Sequence, residues 1–171
     1  MTFFAPLLRI AVGVVVERRK AQSPWIEFTW RPVSVLAGRP QAAPWTRLSE
    51  DHEAATFYAG DAEIELYRSE TGNYRDNLCA DAPLLWVALR PTGGEPPYNV
   101  FAVTADPAEG EGLSAPGSDL VEAVTMPEVV RAQIAAFIAE HHVERPFEKR
   151  RLDRADPEAL ARRAPVRKER E

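Results

Sequence analysis

The chain has 171 residues, 45% hydrophobic and 27% charged, enough for one domain with its own core and unlike a disordered or membrane-embedded composition. Its net charge of −5 is unevenly spread: residues 143–171 hold ten Lys and Arg against seven Asp and Glu, so the rest of the chain stands at −8. An acidic body repels a polyanion and argues against nucleic acid as a partner, and the single cysteine, Cys79, excludes a disulfide or a thiolate metal cluster within one chain.

Leu7–Glu17 alternates with a period of two, with Leu8, Ile10, Val12, Val14 and Val16 on one face. That spacing predicts a half-buried strand. Arg9 interrupts the apolar run, and Glu17-Arg18-Arg19-Lys20 follows it in place of a small-residue cleavage site. The stretch is therefore read as neither signal peptide nor membrane span, and the cytoplasm is the expected location. A second strand runs through Trp25–Leu36, where Ile26, Phe28 and Trp30 share a face before the phase moves to Val33 and Val35. The change falls at Arg31-Pro32, where proline cannot donate to a ladder and a bulge is expected.

Trp45–Leu48 reads as a short strand. Ala54–Ala59 and Ala62–Arg68 flank Gly60-Asp61, a two-residue hairpin signal. Ser69–Ala80 reads as a short helix capped by Ser69, with Tyr74 and Leu78 four apart. Pro83–Arg90 is a continuous apolar run, which suits a strand covered on both faces. Tyr98–Ala105 is a further strand, Asp106–Ser118 a loop by its Gly, Pro and acid content, and Asp119–Val124 a short strand. Thr125-Met126-Pro127-Glu128 fits a capping box. It opens a helix whose Val130, Ile134, Phe137, Ile138 and His141 form one apolar stripe.

The expected fold is α+β: a mainly antiparallel β barrel or sandwich with one short helix, a C-terminal amphipathic helix packed on the sheet, and a charged tail. Residues 1–143 form the domain. Residues 144–171 form the tail, expected to be mobile when alone and to contact a partner, with Phe147 fastening its root.

No pattern for nucleophilic catalysis, for dinucleotide or P-loop binding, or for a zinc site is present. His141-His142 with Glu144 is a local cluster, but neighbouring helical residues point ~100° apart, so the two rings do not readily share an ion. Neither a metal nor any other cofactor is expected. Cys79 is read as a packed small hydrophobe. Val35–Arg39 has one glycine where a phosphate-cradling loop needs several. Two clusters stand out as binding candidates. Glu65, Arg68, Glu70, Tyr74 and Asn77, with Arg75 among them, crowd the entry to the short helix; exposed ion pairs with Tyr74 packed is the plainer reading. Trp25, Trp30 and Arg31 offer an aromatic–arginine patch of the kind favoured at interfaces, with Trp30 in the core as its plainer reading.

VGVVVERR (12–19), SPWIEFTWRPVSVL (23–36), ELYRSETGNYRDNL (65–78) and HHVERPFEKRRLDR (141–154) together resemble a bacterial family of unknown function. Its members typically sit beside genes for molybdenum-dependent formate dehydrogenase, and some are labelled molybdopterin-guanine dinucleotide biosynthesis proteins. The resemblance implies a pathway through gene company and brings no catalytic residues with it. The resulting expectation is a non-enzymatic, cytoplasmic accessory protein that meets a protein partner in molybdoenzyme maturation. The competing expectation is a small enzyme or ligand-binding domain for the molybdenum cofactor or its nucleotide, which a deep pocket containing Glu65, Arg68 and Asn77 would favour.

Overall fold

The computed structural model describes residues 5–144. The expected tail, Phe147 included, lies outside the described residues except for Glu144.

The spine of the molecule is β1 (Leu8–Lys20). It pairs antiparallel with β2 (Phe28–Ala37) on one side and β4 (Ala54–Leu66) on the other, and β3 (Thr46–Glu50) pairs with β4. The order is β2-β1-β4-β3. A second antiparallel sheet has β5 (Leu84–Pro91) between β6 (Tyr98–Thr104) and β7 (Leu120–Thr125). Among the described residues no hydrogen-bonded ladder joins the two sheets, so they do not close into a barrel. They share one core instead. Val12, Val14 and Val16 of β1 meet Ile64 and Leu66 of β4 and Leu85, Val87 and Leu89 of β5 within it. The alternation of β1 and the unbroken apolar run of β5 both follow from that burial.

Three helices accompany the sheets: α1 (Thr71–Leu78), α2 (Pro107–Ser114) and α3 (Glu128–His141). The stripe of α3 is as the spacing predicts, with Val130, Ile134 and Phe137 buried and Ile138 half-buried. Its principal neighbour is α1, with a smaller contact on β1. The helix thus meets the sheet mostly across α1, where Phe137 packs edge-on to Tyr74 at 6.4 Å.

The bulge beside Pro32 is present. Val15 opposes Ser34 and Val16 opposes Pro32, so Val33 is the extra residue. The strand begins only at Phe28, however, and Ile26 stands exposed in the preceding turn.

Five local expectations are corrected. Gly60-Asp61 is no hairpin: β4 runs straight through from Ala54 to Leu66. Gly60 adopts φ 143°, and the register to β1 shifts there, with Val14 opposite Gly60 and Val15 opposite Tyr58. The glycine serves a bulge, which the two-residue signal cannot distinguish from a turn. Asp106–Ser118 contains α2, capped by Asp106, whose Oδ1 accepts from the Ala108 N–H at 2.9 Å with Pro107 in the first turn. Gly110 in that helix lies directly under the Trp86 ring, and a Cβ there would run into the indole. Thr125 and Ser69 do not cap: Thr125 ends β7, and a 3-10 turn over Arg68–Glu70 leads into α1. Cys79 is exposed, as the residue that closes α1.

Candidate functional site

The β1–β4 pair carries a different chemistry at each end. At the Lys20 end, Phe28 and Trp30 of β2 and Phe57 of β4 lie on the same face as Arg18, because cross-strand partners share a face. Trp30 stacks edge-on against Trp45 at 5.7 Å and lies 5.8 Å from Phe57 and 6.4 Å from Tyr98 of the second sheet. The Arg18 guanidinium sits 4.4 Å from the Phe28 ring centre and 5.4 Å from that of Phe57, while also reaching Glu50 at 3.4 Å. A cation against several ring faces is attracted by their quadrupoles. Trp45 holds φ 67°, a left-handed conformation that costs a non-glycine residue about 1–2 kcal/mol. The contacts of its ring offset that cost. These five rings are half-buried, and Trp25 and Ile26 continue the surface outward, with Trp25 90% exposed.

Trp25 and Trp30 both lie at this end of the sheet, but Arg31 does not join them. Neighbours in a strand point to opposite faces. Arg31 pairs on the far face with Glu17 at 3.2 Å, and Arg18 takes the place beside the rings. Arg19 and then Arg31 hold the Glu17 carboxyl below the usual carboxylate range.

At the Leu8 end, the 3-10 turn, the first turn of α1 and the end of α3 line an open cavity of about 1170 Å³. Its charged lining is Arg68, Arg75 and Glu144, with both histidines on the wall. Arg75 donates to His142 Nε2 at 3.0 Å, and His142 Nδ1 lies 3.1 Å from the Thr71 hydroxyl. That hydroxyl donates to the Arg68 carbonyl at 3.1 Å, so its oxygen accepts from the ring. Arginine has no acceptor, so Nε2 supplies a lone pair and Nδ1 bears the proton. His141 instead lies tilted against Phe137, with ring centres 4.5 Å apart. The two imidazoles diverge, and among the described residues no group of three His, Cys, Asp or Glu side chains is placed to hold a metal.

The other residues of this cluster are mostly architectural. Asn77, 6% exposed, donates to the Leu84 and Ala105 carbonyls at 2.8 Å each and accepts from the Leu84 N–H at 3.0 Å. It ties α1 to β5 and to the end of β6. Tyr74 is buried, its hydroxyl accepts from the Tyr67 N–H, and burial pushes its phenol up to about 12. Glu65 accepts from the Tyr67 hydroxyl at 2.6 Å and pairs with Arg9 at 3.2 Å. Glu70 accepts from Asn73 at 3.2 Å, and Asn73 also bridges to Asp106. Of Glu65, Arg68 and Asn77, only Arg68 lines the cavity. Arg39, in the single-glycine loop, is committed to Asp61 at 3.0 Å and Glu63 at 2.6 Å. The cavity was out of reach of sequence reasoning, because Arg75 meets His142 and Glu144 across nearly the whole second half of the described chain.

No helix among the described residues is long and apolar enough to cross a membrane. Neither curated proteins nor solved structures yield a match. The model of one family does match, over residues 11–151, a stretch that takes in the rings at the Lys20 end and Arg68, Arg75, His142 and Glu144 at the other; the chain belongs to the family described as Protein of unknown function (DUF3305).

Proposed function

We propose that this chain is a non-enzymatic accessory protein that docks on a protein partner through the aromatic end of β1–β4. The observation that carries the reading is Trp25, 90% exposed at the head of a surface that continues through Ile26 to Phe28 and Trp30. A large ring held in water gains most when a partner covers it, and Trp is among the residues that dominate interface energies. The partner segment is apolar at its centre, to meet the rings. It works in the cytoplasm, and the resemblance to proteins encoded beside formate dehydrogenase genes points to a molybdoenzyme subunit or assembly factor.

The test is co-purification with the subunits and assembly factors of a molybdenum-dependent formate dehydrogenase, comparing the natural chain with Trp25→Ala. The expected result is recovery of such a protein in stoichiometric amount with the natural chain and its loss with the variant, at unchanged melting temperature. Equal recovery with both chains, or none of these proteins with either, overturns the proposal.

A further inference from the structure

We propose that the cavity at the opposite end of the β1–β4 pair binds a phosphate-bearing small molecule, gripped by Arg75 with Arg68. The proposal rests on the charge and geometry of that cavity alone and is independent of the docking surface.

Several arginines among the described residues are neutralised at short range. Arg39 reaches Glu63 at 2.6 Å, Arg90 reaches Asp119 at 2.8 Å, and Arg31 reaches Glu17 at 3.2 Å. Arg75 is held differently. Its closest contact is His142 at 3.0 Å, and that ring accepts from it as a neutral base, fixed in turn by Thr71. A neutral acceptor orients a guanidinium without cancelling its charge. The carboxylates near Arg75 are Glu144 at 3.4 Å and Asp76 at 4.0 Å, with side chains 86% and 77% exposed. Ion pairs of such exposure contribute little. The result is a pre-oriented cation with its charge intact, facing a cavity whose second charged wall is Arg68.

Glu144 marks where an anion sits. Among the described residues it is the one carboxylate on the lining; it belongs to the chain just beyond α3, and its oxygen is on the same Arg75 NH1 that His142 orients. A ligand with more charge and better geometry displaces it. Two guanidiniums present many donors in planar forks, which match the several oxygens of a phosphate better than one carboxylate does. Ser69 lines the same cavity. The volume of about 1170 Å³ exceeds what phosphate alone fills, and Leu7 and Val143 give the remainder an apolar side. The ligand class is thus a phosphate or diphosphate ester with an uncharged body.

The test uses the full chain, with pyrophosphate as the probe in titration calorimetry at low and physiological salt. The natural chain is expected to bind at one saturable site. Arg75→Gln should weaken binding by about tenfold or more, the loss of a charge-assisted bidentate contact. Glu144→Gln should tighten binding by roughly two- to fivefold, because it removes an exposed competing carboxylate. Arg47→Gln, on β3 at the aromatic end, should leave binding unchanged. Arg68→Gln carries the same expectation as Arg75→Gln and decides the matter if the latter lowers the melting temperature. The absence of saturable binding, loss on Arg47→Gln equal to that on Arg75→Gln, or weakening on Glu144→Gln overturns the proposal.

Discussion

The two ends of β1 make contact with their surroundings by opposite means. The strand is 13 residues long, so about 40 Å separates them. At the Lys20 end the surface is built of rings: Phe28, Trp30, Trp45 and Phe57 around Arg18, with Trp25 standing clear. Such a surface offers area and little direction. At the Leu8 end the groups are directional: Arg75, His142 and Thr71 form a hydrogen-bonded relay beside a cavity, braced from below by Asn77 and Tyr74. One strand pair thus carries the face proposed to meet a protein and the recess proposed to hold a small anion, each supported by separate neighbours.

The brace below the cavity is core, and breaking it should cost most. Phe137→Ala removes the ring that joins α3 to Tyr74 and should destabilise by ~3–5 kcal/mol, read from the denaturant midpoint. An unchanged midpoint would remove α3 from the support of that end. Asn77→Ala leaves the Leu84 and Ala105 backbone groups without their side-chain partner and should cost about 2–4 kcal/mol, with pyrophosphate binding weakened as α1 loosens. A loss no larger than that of an exposed substitution would make the amide dispensable.

Titration sharpens the contrast further. The Tyr74 phenol, raised to about 12 chiefly by burial, stays neutral in the folded state while an unfolded tyrosine ionises at ~10. Its contribution to stability is fully present below ~10 and is lost as pH rises through the folded value. Tyr74→Phe should therefore flatten the alkaline fall in stability, measured by denaturation at stepped pH; the same slope in both proteins would contradict the burial argument. At the surface, Arg90 grips Asp119 at 3.0 and 2.8 Å and holds its carboxyl below the usual range. That contribution is present above the ordinary carboxylate value and lost as pH falls through the depressed one. Arg90→Gln should bring the Asp119 titration, followed by carboxyl NMR, back toward the ordinary range. The smallest effect is expected at the aromatic end: Trp25→Ala should change stability by no more than about 0.5 kcal/mol, since the ring is in water already.

Legibility in the sequence followed the range of the interactions. The alternation of β1, the bulge at Pro32, the apolar β5 and the α3 stripe are local patterns with one physical cause, burial on a face, and each appears where its spacing places it. Gly60 failed because a positive φ suits a bulge as well as a turn, and only the unbroken pairing of β4 with β1 decides between them. Helix α2 failed because glycine content outweighed a valid start signal, Asp106-Pro107; Gly110 is there for Trp86, a contact no local pattern reveals. At the aromatic end, Trp25 and Trp30 were readable, but the cation had to come from the facing strand, so Arg31 was named and Arg18 missed. At the other end Arg68 was readable as a polar residue, while its companions His142 and Glu144 arrive from the end of α3. The four stretches that carry the resemblance divide along the same line: 12–19 and 23–36 supply Arg18, Trp25 and Trp30, whereas 65–78 and 141–154 supply Arg68, Arg75, His142 and Glu144.

The claim that the two ends are separate surfaces with separate chemistries is tested most directly by an amide and indole NMR map of the full chain titrated with pyrophosphate. The account predicts saturating shifts at Arg68, Ser69, Thr71, Gly72 and Arg75 and at the end of α3, with the Trp25, Trp30 and Trp45 indoles unmoved. Shifts centred on those indoles, or spread evenly over the arginines of both ends, would contradict it.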